Sequence, residues 1–401
     1  MTVEQVQGDR GLSAFRGLRV VELGTWLAAP SACALLADLG AEVIKVEPSG
    51  GDPLRKFPSS MRGGSDKSPG FALLNRHKKS VVIDITSAEG IRQIESLLAG
   101  ADVFVTNLRS GTLEKLKLDA DALTRRFPRL VYGIVTGQGL SGPDKDMPGM
   151  DTGVFWARSG MLHQLTAEGA EPLVYIGGYG DLVTSLALFG AVLAALVERE
   201  KTGRGRVVET SLLQSGGWML SGDVVAQAAF GRAPKLRTRS QSATPLVNSY
   251  RTADGRWFFL TSVEAGRHFQ GVCRAIDQPQ LAQDERFATP EAMRKNGREL
   301  IALLEGAFAR HPLAHWTERL NREGVWWQKV ATPAEMMEDV QVTANAMAGA
   351  IAWGGSSIQA ITAPFKVHGN VMKTPAKAPE LGEHGELTGG EASVPPVPSG
   401  R

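Results

Sequence analysis

Residues Leu18 to Pro48 read LRVVELGTWLAAPSACALLADLGAEVIKVEP, and the order of side chains within them decides the fold. LRVVELG is a short, apolar, β-branched run closed by Gly24, the pattern of a buried strand. Pro30 falls near the start of a helix-like segment, Ser31 to Leu39; Gly40 stops it, and Ala41 to Val46 read as a second strand. A β-α-β unit implies a parallel sheet with a right-handed crossover, and ligands on such sheets collect beyond the carboxyl ends of the strands. The segment placed to face a ligand is therefore Gly24 to Pro30, GTWLAAP. It has no G-x-G-x-x-G pattern, which disfavours dinucleotide binding of the dehydrogenase kind.

The alternation continues downstream. Lys78 to Ile85 (KKSVVIDI), Ala101 to Leu108 (ADVFVTNL) and Leu130 to Gly137 (LVYGIVTG) read as further strands, with a helix punctuated by Ser87 and Gly100 and a shorter one, Ala122 to Phe127, between them. Gly50 to Gly70, rich in Gly, Pro, Ser and charge, reads as a long surface loop. Arg232 to Ser249 is polar and basic without periodicity, a linker. Beyond it, Ala253-Asp254-Gly255 is a turn signal between two strand-like runs, an antiparallel hairpin followed by amphipathic helices. That makes a second, α+β domain, and the proline-rich tail is too polar to pack.

Bulk properties narrow the function. The chain has 401 residues, 43% hydrophobic, and a net charge of +2, so it has room for two domains and no field that points to nucleic acid or a membrane. Two cysteines, Cys33 and Cys273, lie far apart in apolar surroundings and read as reduced structural thiols, which places the chain in the cytoplasm. No signal peptide opens the sequence, and the longest apolar run is broken by glycine and ends in charge too early to span a bilayer. Of seven histidines only His311 and His315 have helical ligand spacing, with Pro312 between them and no adjacent glutamate, so no metal is expected. A G-x-S-x-G elbow and a P-loop are also missing.

What remains is a carboxylate in a glycine-rich turn. Gly177 to Glu200 reads GGYGDLVTSLALFGAVLAALVERE, in which Asp181 precedes an apolar run long enough for about four helical turns. Asp181 is placed either to cap that helix, with the dipole keeping it ionised, or to act as an exposed nucleophile. Asp151 opens another apparent helix, again as a cap. Arg109 and Lys115 fall at a strand end and on the helix after it. They are either solvated surface charges or part of a cradle for an anionic cofactor.

Six pieces in one order resemble the family III CoA-transferases: the opening stretch, NRHKKSVVIDI, DVFVTNLRSGTLEKL, PRLVYGIVTGQG, the GGYGD turn and ALVEREKTGRGRVVETSLL. The resemblance is strong from Leu18 to Leu213 and weaker to PELGEHGEL. It implies a Rossmann-like α/β large domain with a parallel sheet, built from both chain ends, a smaller inserted α+β domain, and a homodimer of interlocked subunits. The corresponding division is 1–230 for the large domain, 231–249 for the linker, 250–340 for the small domain, 341–387 for the return and 388–401 for a disordered tail. The resemblance makes Asp181 the nucleophile, attacking an acyl-CoA thioester and passing CoA to a carboxylic acid through anhydride and aspartyl-CoA intermediates. Coenzyme A is then a substrate and no cofactor is held permanently. Backbone N–H groups around the glycines are expected to hold the developing oxyanions. Trp26, Leu27 and Ala28 match the loop that meets CoA and the acyl group, with Gly178, Gly180, Met150 and Asp151 around the nucleophile. Asn107, Leu108, Arg109, Lys115 and Leu116 match the segment that binds the nucleotide.

Three positions depart from the family pattern. Pro48 stands where some transferases carry a cation, so other cations must serve the phosphates. No glycine-rich flap lies between Arg232 and Tyr250, and Leu27 replaces a glutamine, which suggests an acyl group larger and less polar than formate or oxalate. The same fold serves 2-methylacyl-CoA racemases, whose paired base is a His directly before the position of Asp151. This chain has Met150 there, and a thioether exchanges no proton.

Overall fold

The structure, a computed structural model, describes residues 14–57, 67–173, 177–234, 238–242, 244–368 and 375–389. Contacts divide the chain into two units: 1–163 with 173–233 and 340–401, and 164–172 with 234–339.

The first unit holds six parallel strands: β1 (Arg19–Leu23), β2 (Glu42–Glu47), β3 (Lys79–Val82), β4 (Val103–Thr106), β5 (Val131–Thr136) and β6 (Val207–Ser211). Their order, β3-β2-β1-β4-β5-β6, is that of a doubly wound sheet, which reverses direction between β1 and β4. The sequence places valines on both faces of β1 and β4, and Val20, Val21, Val103, Phe104 and Val105 are all fully buried. Helices α1 (Ala28–Asp38), α2 (Pro69–Leu74), α3 (Ala88–Ala99), α4 (Ser110–Leu116), α5 (Ala120–Arg126), α6 (Met161–Leu165), α7 (Tyr179–Thr202), α8 (Leu212–Met219) and α9 (Ser221–Phe230) follow in chain order. The antiparallel pair β10 (Ala348–Trp353) and β11 (Ser356–Ile361) also belongs to this unit.

The crossover from β5 to β6 is made by α7. By length and composition this 24-residue helix is long and apolar enough to cross a membrane, contrary to the sequence expectation. Its inner face is nevertheless committed to the protein, because Leu188, Val192 and Ala195 are buried in one cluster with Val20, Val105 and α1 residues Ala29, Ala32 and Leu36. At the far end Arg199, itself buried, donates to Asp102 Oδ1 at 3.0 Å, directly before β4.

The second unit pairs β7 (Val247–Arg251) with β8 (Trp257–Thr261) and β8 with β9 (Trp327–Lys329), all antiparallel. The hairpin turn falls where Ala253-Asp254-Gly255 signals it, with Gly255 at φ 77°. Aromatic contacts fill the core, among them Phe258 against Phe308 at 4.8 Å, edge to face. The stretch 231–249 is not all linker: Leu246 and Asn248 are buried and β7 starts at Val247, because β7 must match β8 in length for the ladder to close. Residues 235–237 and 243, and the part of the tail from 390 on, lie outside the described residues.

Candidate active site

A cavity of about 350 Å³ opens beyond the carboxyl ends of β1 and β4, where the strand order reverses. Trp26, Leu27, Ala28, Asn107, Met150, Asp151, Gly178 and Asp181 all line it. Gly180 lies behind this wall. A Cβ there would stand 2.2 Å from both Asp151 Oδ1 and Phe155 Cγ, so only hydrogen fits. Leu108 and Leu116 are not on the cavity wall; they pack, partly buried, against the apolar cluster that includes Phe104 and Tyr132. Arg109 and Lys115 are exposed at the N-cap and in the last turn of α4, and neither has an ion-pair partner among the described residues.

The loop from Gly24 to Ala28 is held by charges that the sequence reading passed over. Parallel pairing of β1 with β2 sets Glu22 opposite Lys45, and the two side chains meet at 2.8 Å with no solvent contact. Lys45 Nζ also donates to Gly24 O at 2.9 Å and pairs with Asp52 at 2.8 Å, while Lys78 pairs with Glu22 at 2.6 Å and donates to Pro30 O at 2.8 Å. Two lysines overcome burial and keep Glu22 below the usual carboxylate range. Asp52 Oδ1 in turn accepts the Trp26 N–H at 3.2 Å, and Asn107 clips Thr25 through both its backbone groups at 3.1 and 2.8 Å. These contacts hold Trp26 at φ 66°, a left-handed conformation that is costly for a bulky residue. Asn107 therefore lines the cavity with its amide already spent on the loop.

Asp52 lies within the expected surface loop 50–70, but it is fully buried and caps a 3-10 turn at Pro53–Lys56, accepting from Leu54 N at 2.9 Å. Burial follows from the ion pair with Lys45, since an unpaired lysine inside the sheet would be prohibitive. Residues 58–66 of that loop lie outside the described residues.

The turn that carries Asp181 also departs from its reading as a cap. Gly178, at φ 67°, is the N-cap of α7, and Asp181 sits two residues inside the helix with no capping bond of its own. The acceptor comes instead from Asp151, whose Oδ1 takes the Asp181 N–H at 3.2 Å. Asp151 begins a π-helical turn, Thr152–Arg158. Burial raises its carboxyl above the ordinary value, against the stabilising N–H groups of Asp181, Gly180 and Gly178 and the Trp156 side chain. The Asp181 N–H is thereby taken up by Asp151.

Asp181 is not kept ionised by the helix dipole. Burial first, and the negative charge of Asp151 second, push it up to about 7. It is half-buried at the cavity wall, so the site holds a carboxyl group poised between neutral and ionised near neutral pH.

Arg55 is not available to an incoming anion, being bidentate to Glu47 at 2.7 Å from both Nε and Nη2 and stacked 3.9 Å over Phe71. Among the described residues no group of three or more His, Cys, Asp or Glu side chains has the arrangement to hold a metal ion.

The family model CoA-transferase family III matches residues 15–385. The (R)-2-hydroxy-4-methylpentanoate CoA-transferase of Clostridioides difficile is 30% identical over 371 residues, 92% of either chain. Succinyl-CoA:glutarate CoA-transferase of Homo sapiens is 30% identical and aligns with 84% of this chain and 76% of its own. The crystal structure of a CAIB/BAIF family protein from Brucella suis superimposes with a TM-score of 0.82 at 29% identity, covering 92% of this chain and 97% of the other. With nearly all of its described length matched, and with a carboxylate at the mouth of a doubly wound sheet, the chain belongs to CoA-transferase family III.

Proposed function

We propose that the protein transfers coenzyme A from an acyl-CoA thioester to a carboxylic acid, with Asp181 as the nucleophile. In the ionised form Asp181 attacks the thioester carbonyl, the C–S bond breaks, and CoA leaves as thiolate with an acyl-aspartyl anhydride behind it. The thiolate attacks the aspartyl carbonyl, releasing the first acid as carboxylate and giving aspartyl-CoA. The acceptor carboxylate attacks this thioester, forming a second anhydride, and the returning thiolate takes the new acyl group and frees Asp181. Each step exchanges one carboxylate or thiolate for another, so no electron or proton is left over. Coenzyme A enters and leaves as substrate, and its phosphates meet the exposed Arg109 and Lys115.

The observation that carries this reading is the Asp181 carboxyl on the cavity wall beside a loop that is locked at its backbone. Exchange of an α-proton is not favoured, since Met150 offers no base next to Asp151. The working form we propose is a homodimer. The α8–α9 segment leaves Trp218 and Phe230 each 76% exposed, an apolar face suited to a second copy. The buried, unpaired Cys33 and Cys273 fit a reducing, cytoplasmic setting.

Acyl-CoA followed by hydroxylamine should modify Asp181, detected as a mass shift on its peptide. Asp181→Asn should abolish both adduct and turnover while CoA still binds. Transfer at the wild-type rate by Asp181→Asn would end the proposal.

A further inference from the structure

The cavity beside Asp181 has a chemistry of its own, and the following builds on the transferase reading. Its apolar lining includes Leu27, Leu54, Phe57, Leu73 and Leu74, with Trp26 set edge-on against Phe57 at 5.4 Å. The polar groups on the wall are mostly engaged by the protein itself. Asn107 holds Thr25, and Ser68 Oγ accepts the Phe71 N–H at 3.2 Å. Asp151 serves the first turn of α7. Among the lining residues the charged side chains are Lys67, Asp151 and Asp181, and Lys67 is ion-paired with Glu380 at 2.9 Å. No arginine is among the described lining residues.

A second carboxylate placed against the leucines would lie beside two acidic residues, and among the described lining residues its one cation would be Lys67, which is 60% exposed and already paired with Glu380. Burying a charge unpaired is among the most costly things a site can do, whereas a hydrocarbon body gains from the same wall. We infer that the acid carried by this site is monocarboxylic with an apolar body, and that dicarboxylic acids are disfavoured. Related proteins do not decide the matter, because one is named for a branched hydroxy acid and another for succinate and glutarate at the same 30% identity.

The test is isotope exchange between an acyl-CoA and its own labelled free acid, which requires no knowledge of the natural partner acid. The full chain is assayed with 4-methylpentanoyl-CoA and 3-phenylpropanoyl-CoA against succinyl-CoA and glutaryl-CoA. Exchange should be at least about 100-fold faster in kcat/KM for the first pair. Phe57→Arg, which sets a cation on the wall, should narrow that ratio about 10-fold, chiefly through a lower KM for the dicarboxylyl thioesters. Equal exchange of all four thioesters would overturn the inference and leave the transferase reading standing. An unchanged ratio in a folded Phe57→Arg would overturn the assignment of this wall to the acyl body. No exchange with any thioester, together with no adduct on Asp181, would overturn the transferase reading and the inference with it.

Discussion

Asp151→Asn removes a negative charge from beside Asp181 while leaving an oxygen to accept the Asp181 N–H, which Asp151 now binds at 3.2 Å. Asp181 stands at about 7 against an ordinary 3.8, a difference of about 3.2, and burial is the larger of its two causes. The charge of Asp151 therefore accounts for less than half of that difference, about 1.6 at most, and a fall of about 1 on substitution is a moderate expectation. In the proposed mechanism transfer begins with the ionised carboxylate, so the sign is fixed: lowering the Asp181 pKa raises the reactive fraction on the acid side. At pH 6 that fraction goes from about 9% to about 50%, a gain of ~5-fold in kcat/KM if nothing else changes. Initial rates of CoA transfer from pH 5 to 8 at low substrate read this directly, since kcat/KM reports groups of the free enzyme. The acid limb should bend about one pH unit lower in the variant. A bend that stays near that of the wild type, or moves upward, would refute the claim that the Asp151 charge sets the protonation of Asp181.

Other expectations follow from single contacts. Gly180→Ala drives a methyl group into Asp151 and Phe155, and should cost about 1–3 kcal/mol in urea unfolding despite the helix preference of alanine, with transfer activity falling in parallel. Lys45→Met leaves Glu22 and Asp52 buried beside each other with only Lys78 to balance them; a loss of about 3–5 kcal/mol is expected, and a variant as stable as wild type would show that the cluster contributes nothing net. Arg109→Ala should raise the KM for acyl-CoA about 10-fold with kcat little altered and should flatten the dependence of KM on salt, both measured in steady-state assays at two ionic strengths.

The sheet was legible because its strands are buried on both faces and so read as unbroken β-branched runs, and because short β-α-β spacing leaves few topologies. Even the pairing of Glu22 with Lys45 was within reach, since a charge inside each of two adjacent apolar strands requires a partner. Asp181 was singled out by its company of glycines, but its environment was not legible. An aspartate ahead of an apolar run looks like a cap, and nothing nearby in sequence shows that Asp151, brought in from another segment, already fills that role. Asp52 was lost in a stretch whose composition is that of a surface loop; the Asp-Pro pair that starts its 3-10 turn was the available signal. The left-handed Trp26 had no local signal at all, because its conformation is imposed by Asp52, Lys45 and Asn107 from three other segments.

Helix α7 works as a rod clamped at both ends, by Asp151 beside Asp181 and by Asp102 on Arg199. A helix turns by about 100° and advances about 1.5 Å with each residue. Deleting or inserting one residue between the clamps would swing the Asp181 carboxyl around the axis, away from its place on the cavity wall, while hardly changing the composition of the helix. Length variation in this chain is therefore a matter for its loops, and the number of residues from Asp181 to Arg199 is a dimension of the cavity itself.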